Sequence, residues 1–293
     1  MAFAKSGWIL IVAGMLAVSG CDKLGIVGGN DSSASVADTD AGKNLDGYIE
    51  AYNALLGTMG FEKQAQDYRE SNIPDGAPGG EFRVSPGWID QGLQKLQTAR
   101  AMPNGDPQME SAADAVLRST GKVQSHLASL QTYYQGKKYL DDDFARGKAE
   151  NGPMLAEIDA AERDIVSFGK LLEAAIERRD LAVLDKLKGS DPLGYNTKVA
   201  LIHSKKLLDI FNGQQKPSQP DLIAKGDAEF AIIEKAITEG RQEAAKSGKP
   251  IPQALDLLNA MLGYYREFKR DRDPTHLNTV LTYYNGAIEA ANH

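Results

Sequence analysis

Apolar residues recur four and then three positions apart over most of this chain, beginning at Leu45. The first run is Leu45, Ile49, Tyr52, Leu56 and Met59. A longer one is Met109, Ala113, Val116, Thr120, Val123, Leu127, Leu130 and Tyr134. It is followed by Met154, Ile158, Ala161, Ile165, Phe168, Leu172 and Ala175, then Ile223, Phe230, Ile233 and Ile237. The last two are Ala254, Leu258, Met261, Tyr265, Phe268 and Leu277, Leu281, Tyr284, Ile288. A period near 3.6 gathers each set on one side of a helix, with charged residues opposite. No comparable run alternates with the period of two that a half-buried strand requires.

Starts and stops support the same reading. Ser85-Pro86, Asp106-Pro107, Asp191-Pro192 and Asp273-Pro274 each place a side-chain acceptor before a proline, and an amphipathic segment follows. Proline costs little at a first helical position, where its missing N–H would be unpaired anyway. Breaks are predicted at 72–80, 102–106, 188–191, 212–220 and 246–250. The first half then holds helices over 46–71, 86–101, 107–135 and 142–180, the last about 60 Å long. Short connections make sequential helices antiparallel neighbours. The predicted fold is all-α, an elongated antiparallel helical bundle over residues 45–293. It is either continuous or divided into two subdomains by a seam near 188–220.

The first residues differ from all this. Lys5 precedes an apolar run from Trp8 to Val18, too short for an ordinary membrane span, and Val18-Ser19-Gly20 leads into Cys21. That is the pattern of a bacterial lipoprotein signal peptide over residues 1–20. Cleavage before Cys21 would leave its thiol and amine free to carry acyl chains such as palmitate, and several chains anchor a protein to a bilayer almost permanently. Residues 21–44 are rich in Gly, Ser, Ala and Asp and read as a flexible tether. Asp22 resembles the inner-membrane retention signal of some enterobacteria and Lys23 departs from it, so either membrane stays open. The expected location is the cell envelope, facing the periplasm.

Composition narrows the function classes. The chain has 293 residues, one cysteine and a formal charge of −7. Loss of Lys5 with the signal leaves −8. Its basic clusters, Lys137-Lys138, Arg178-Arg179 and Lys205-Lys206, are small and offset by nearby acids, which argues against nucleic acid as a partner. With Cys21 acylated no thiol remains for a disulfide. A c-type haem, a phosphate-cradling loop, a nucleophile elbow and a His-Glu-x-x-His site all lack their motifs. His126, His203, His276 and His293 have none of the Glu-x-x-His repeats of a di-iron bundle and read as surface or core-edge residues. No cofactor, metal site or catalytic residue is expected.

The densest chemistry lies where the long helix over 107–135 should reverse into the next. Tyr133, Tyr134, Lys137, Lys138, Tyr139, Asp141, Asp142, Asp143, Phe144, Arg146 and Lys148 share one short stretch. An aspartate of the triplet can cap the next helix while the tyrosines cover the bundle end. The same residues can form a recognition surface, and Tyr133, Tyr134, Lys137, Lys138, Tyr139, Asp142, Asp143 and Arg146 are its candidates. A calcium loop would need a closing bidentate glutamate that is missing. In Tyr264-Tyr265 and Tyr283-Tyr284 one ring should continue the apolar stripe while its neighbour sits at the edge.

The Tyr-Tyr pair with Tyr139-Leu-Asp-Asp-x-Phe-Ala-Arg-Gly-Lys148, the cysteine signal, the polar tether and Leu45-Asp-Gly-Tyr-Ile-Glu-Ala-Tyr-Asn53 together resemble the YiiG-like family of uncharacterised bacterial lipoproteins. The resemblance implies an all-helical envelope lipoprotein and transfers no site residue. The expected function is therefore a non-enzymatic, membrane-anchored binding or structural module that docks an envelope protein or a cell-wall component. The alternative is a bundle that handles a metal or small ligand, with or without enzymatic activity; a buried cluster of Glu, Asp or His side chains would favour it.

Overall fold

The computed structural model describes residues 40–71, 82, 84–103 and 105–292; the expected signal, Cys21 and nearly all of the expected tether lie outside them. The described residues form helices and no strand, so the all-α reading holds. They divide into two compact units, Ala37–Ile176 and Glu177–His293. The division falls upstream of residues 188–220, inside a helix rather than at a loop.

The Ala37–Ile176 unit contains α1 (Asp40–Leu56), α2 (Phe61–Glu70), α3 (Gly87–Arg100), α4 (Pro107–Gln135), the single turn α5 (Tyr139–Asp142) and most of α6 (Ala145–Leu187). One helix was expected over 46–71, and the structure breaks it at Gly57–Gly60. The Gly60 N–H bonds the Gly57 carbonyl at 2.8 Å, and the chain passes so near Ala54 and Leu55 that a side chain at Gly60 would collide with their carbonyls. Met59 is consequently 58% exposed instead of continuing the stripe. All eight stripe positions of α4 are buried. In α6 the stripe ends on Ile176 rather than Ala175.

Asp106 caps α4 as expected, accepting from the N–H groups of Gln108 and Met109, with Pro107 next. Asp273 accepts from the Thr275 N–H at 2.9 Å, one position earlier than a standard cap. Asp191 precedes Pro192 without a side-chain cap bond, and α3 opens through backbone bonds from Trp88 and Ile89 to Ser85 and Pro86.

The Glu177–His293 unit holds the last turns of α6 with α7 (Pro192–Phe211), α8 (Pro220–Ser247), α9 (Gln253–Asp271) and α10 (Thr275–Ala291). Cross-helix ion pairs fix the direction of α9 against α8: Asp256 meets Arg241, while Lys269 meets Asp227. Partners that rise in number along one helix fall along the other, so the two run antiparallel. The core includes Leu201, Leu208, Ile233, Leu258, Met261, Tyr265, Phe268 and Tyr284. Tyr265 and Tyr284 are buried, while their neighbours Tyr264 and Tyr283 stack on each other at 5.3 Å at the stripe edge.

Candidate functional site

The α4–α6 reversal is built from two tight helix endings in succession. At the end of α4 the Lys138 N–H bonds the Tyr133 carbonyl and the Lys137 N–H bonds the Tyr134 carbonyl, both at 3.1 Å, with Lys137 at φ 51°. This is a Schellman ending, in which the left-handed position is usually glycine. One turn of α5 later the Phe144 N–H reaches back to the Tyr139 carbonyl at 3.1 Å, with Asp143 at φ 50° and Phe144 at φ 60°. Three non-glycine residues thus hold left-handed backbone within eight positions, an arrangement that persists only when surrounding contacts enforce it.

Those contacts are aromatic and ionic. Phe82 stacks on Tyr134 and Tyr139 stacks on Phe144, each at 4.5 Å between centroids. Tyr133 meets Tyr134 edge-on at 5.0 Å, and the Arg146 guanidinium lies over the Tyr133 ring at 5.4 Å. Asp142 is the working aspartate of the triplet: it accepts from the Tyr133 hydroxyl at 2.7 Å and from the Arg146 N–H at 3.2 Å. These bonds, Tyr133 first, hold its carboxyl below the usual range. Burial, then the bond to Asp142, pushes the Tyr133 hydroxyl up to about 12, so it stays a donor.

The predicted recognition residues therefore separate into two groups. Tyr133 and Tyr134 are buried, and Tyr139 and Asp142 are half-buried, facing into the turn. Lys137, Lys138, Asp143 and Arg146 are exposed, as are Asp141 and Lys148. Leu140, which sequence reading passed over, is 71% exposed at the tip. The structure brings all eight candidates into one turn, with the tyrosines as its support and the charges as its rim. Cys21 lies outside the described residues.

Sequence reading also missed what surrounds His126. It has no acid three or four residues away, yet its Nδ1 is 2.9 Å from Glu157 and its Nε2 3.3 Å from Glu150, both on α6. Those glutamates are seven residues apart, hence on one face of α6; the spacing was the available signal, readable only with α6 laid antiparallel to α4. Among the described residues no group of three or more His, Cys, Asp or Glu side chains is placed to hold a metal ion. Nor is any helix among them long and apolar enough to cross a membrane.

A family model described as "Protein of unknown function (DUF3829)" matches residues 41–254, which include the whole of this turn. Comparison with curated proteins and with solved structures gives no match.

Proposed function

The chain belongs to the DUF3829 family of proteins of unknown function, and we propose, from the Val18-Ser19-Gly20-Cys21 signal and the exposed rim of the α4–α6 turn, that it is a non-enzymatic binding or structural lipoprotein of the YiiG-like kind. In this reading Cys21 is acylated and holds the helical domain on a membrane of the bacterial envelope, facing the periplasm. The outer rim of the α4–α6 turn is its contact surface for an envelope protein or cell-wall component. The observation that carries the reading is that rim: exposed Leu140 among exposed Lys137, Lys138 and Arg146, on a backbone fixed by buried rings. A pre-organised turn loses little entropy when it docks. The Phe82–Tyr134 and Tyr139–Phe144 pairs already lie face to face. An approaching partner meets an aliphatic tip and charges rather than an open aromatic platform, which favours a protein over a stacked sugar.

Two substitutions confined to the rim, Lys138→Glu with Leu140→Ser, test the contact. With a photo-crosslinking residue at position 141 in cells, crosslinked products should fall about tenfold at an unchanged melting temperature, the scale of losing one central contact. Unchanged crosslinking in the folded variant sinks the rim. The anchor has its own test: Cys21→Ser should abolish acyl labelling and membrane retention, and normal labelling of that variant would overturn it.

A further inference from the structure

The segment that covers the two buried tyrosines is itself barely buried. Between Lys137 and Gly152 only Gly147 is buried, and α5 contributes no buried residue. Gly147 packs so closely on the Tyr134 hydroxyl that a Cβ there would collide with it. Apart from this contact, the segment is held by the Tyr139 ring, 6.4 Å from that of Tyr133 and 6.0 Å from that of Tyr134, by the Arg146 guanidinium over Tyr133, and by a few polar bonds to its neighbours. Asp142 takes the Tyr133 hydroxyl, Arg146 Nη2 reaches Ser129 Oγ at 2.9 Å, Glu150 meets His126, and Asn151 Oδ1 accepts from the Tyr68 hydroxyl at 3.1 Å. Low burial and few fastenings are the marks of a unit that opens without global unfolding.

Both ends of the segment are suited to bending. At one end stands Gly136, the C-cap of α4, followed by left-handed Lys137. At the other, Gly152-Pro153 lies inside α6. Proline supplies no N–H for the carbonyl four residues back, and its ring crowds that carbonyl, so the first turns of α6 are coupled to the rest by one bond fewer. Three left-handed non-glycine residues within the segment favour release further. Beneath it the Tyr134 hydroxyl is buried with no hydrogen-bond partner among the described residues, a group that gains on meeting water or a ligand.

We propose that residues 137–152 form a strap that opens as a unit about Gly136 and Gly152–Pro153 and uncovers Tyr133 and Tyr134 as additional contact area for a protein partner, the occupant that the exposed Leu140 tip and its flanking charges favour. The closed state then offers only the rim. The open state adds two rigid aromatic side chains with free hydroxyls, the kind of surface on which binding energy concentrates. This inference rests on the reading of the turn as the contact surface and concerns how that surface is gated.

Hydrogen exchange on the full chain tests the strap without reference to any partner. Amides of 139–152 should exchange together and well ahead of those in 111–133 and 154–176. Tyr133→Phe removes one fastening at constant ring size and should speed strap exchange about tenfold while leaving both helices and the melting temperature unchanged. Pro153→Ala restores the missing donor and should slow it. Strap amides as protected as 154–176, or a Tyr133→Phe effect that appears only as a lower melting temperature, overturns the strap. In cells, Tyr133→Phe should raise crosslinking from position 141. Faster exchange with unchanged crosslinking overturns the gate and leaves the rim reading intact, whereas that reading fails separately if Lys138→Glu with Leu140→Ser has no effect.

Discussion

Replacing Phe168 with alanine is expected to destabilise the Ala37–Ile176 unit by about 3–5 kcal/mol, the cost of removing a fully enclosed aromatic ring. Phe168 is completely buried on α6. It meets Tyr48 edge-on at 5.6 Å and Tyr52 at 6.0 Å, both projecting from α1. Such pairs add to the apolar transfer energy because ring edges and faces attract. The surroundings are also poor at collapsing into the gap. The Tyr52 hydroxyl, pushed up to about 12 mainly by burial, already lies against Gly169, so its ring cannot swing further toward α6. Trp88 is the tryptophan of α3, and the other one, Trp8, lies in the apolar run near the start of the chain. Urea titration followed by tryptophan fluorescence therefore reports on this unit. A shift below about 1 kcal/mol would mean that the rings do not form the core contact described.

How much of this was readable in advance follows from what each feature depends on. The stripe of α4 depends on one helix burying one side, and each of its eight stripe positions from Met109 to Tyr134 is buried accordingly. The Gly57–Gly60 break was hidden because Met59 continues the apolar period across it. Only the approach of Gly60 to the α1 carbonyls shows why the helix stops. In the turn, an aspartate capping role was legible from the triplet, though not that Asp142 performs it, since that choice rests on where Tyr133 points. Tyr134 was on the stripe and its burial expected; Tyr133 is covered by Gly147 and Arg146, which reach it only after two left-handed reversals. The His126 fastening is a further case. Its partners are 24 and 31 residues away, at Glu150 and Glu157, and a search limited to one helix could not find them.

The same limit explains why Lys198 drew no attention as a sequence position, and it carries the second large effect. Lys198 lies on α7 with 6% of its side chain exposed, and its Nζ is 2.7 Å from Asp180 Oδ1 on the last turns of α6. A buried ammonium is tolerated only with a partner, and removing one member of such a pair leaves an uncompensated charge that typically costs about 3–5 kcal/mol. Asp180 is 20% exposed, so water recovers part of this, and Lys198→Met is expected to cost about 2–4 kcal/mol. The remaining carboxylate would face Tyr284, whose buried hydroxyl is held far above its ordinary range by burial first and then by the charges of Asp209 and Asp180. Tyr284 therefore stays neutral and offers no positive charge, so without Lys198 the Asp180 carboxylate loses the ammonium that faces it. The decisive comparison is with the double variant Lys198→Met, Asp180→Asn, measured by urea titration of helical circular dichroism. If the loss comes from the stranded charge, the double variant recovers at least half of it, because no carboxylate is left unpaired. If both variants lose stability equally, the loss does not come from a stranded carboxylate and the ion-pair account fails.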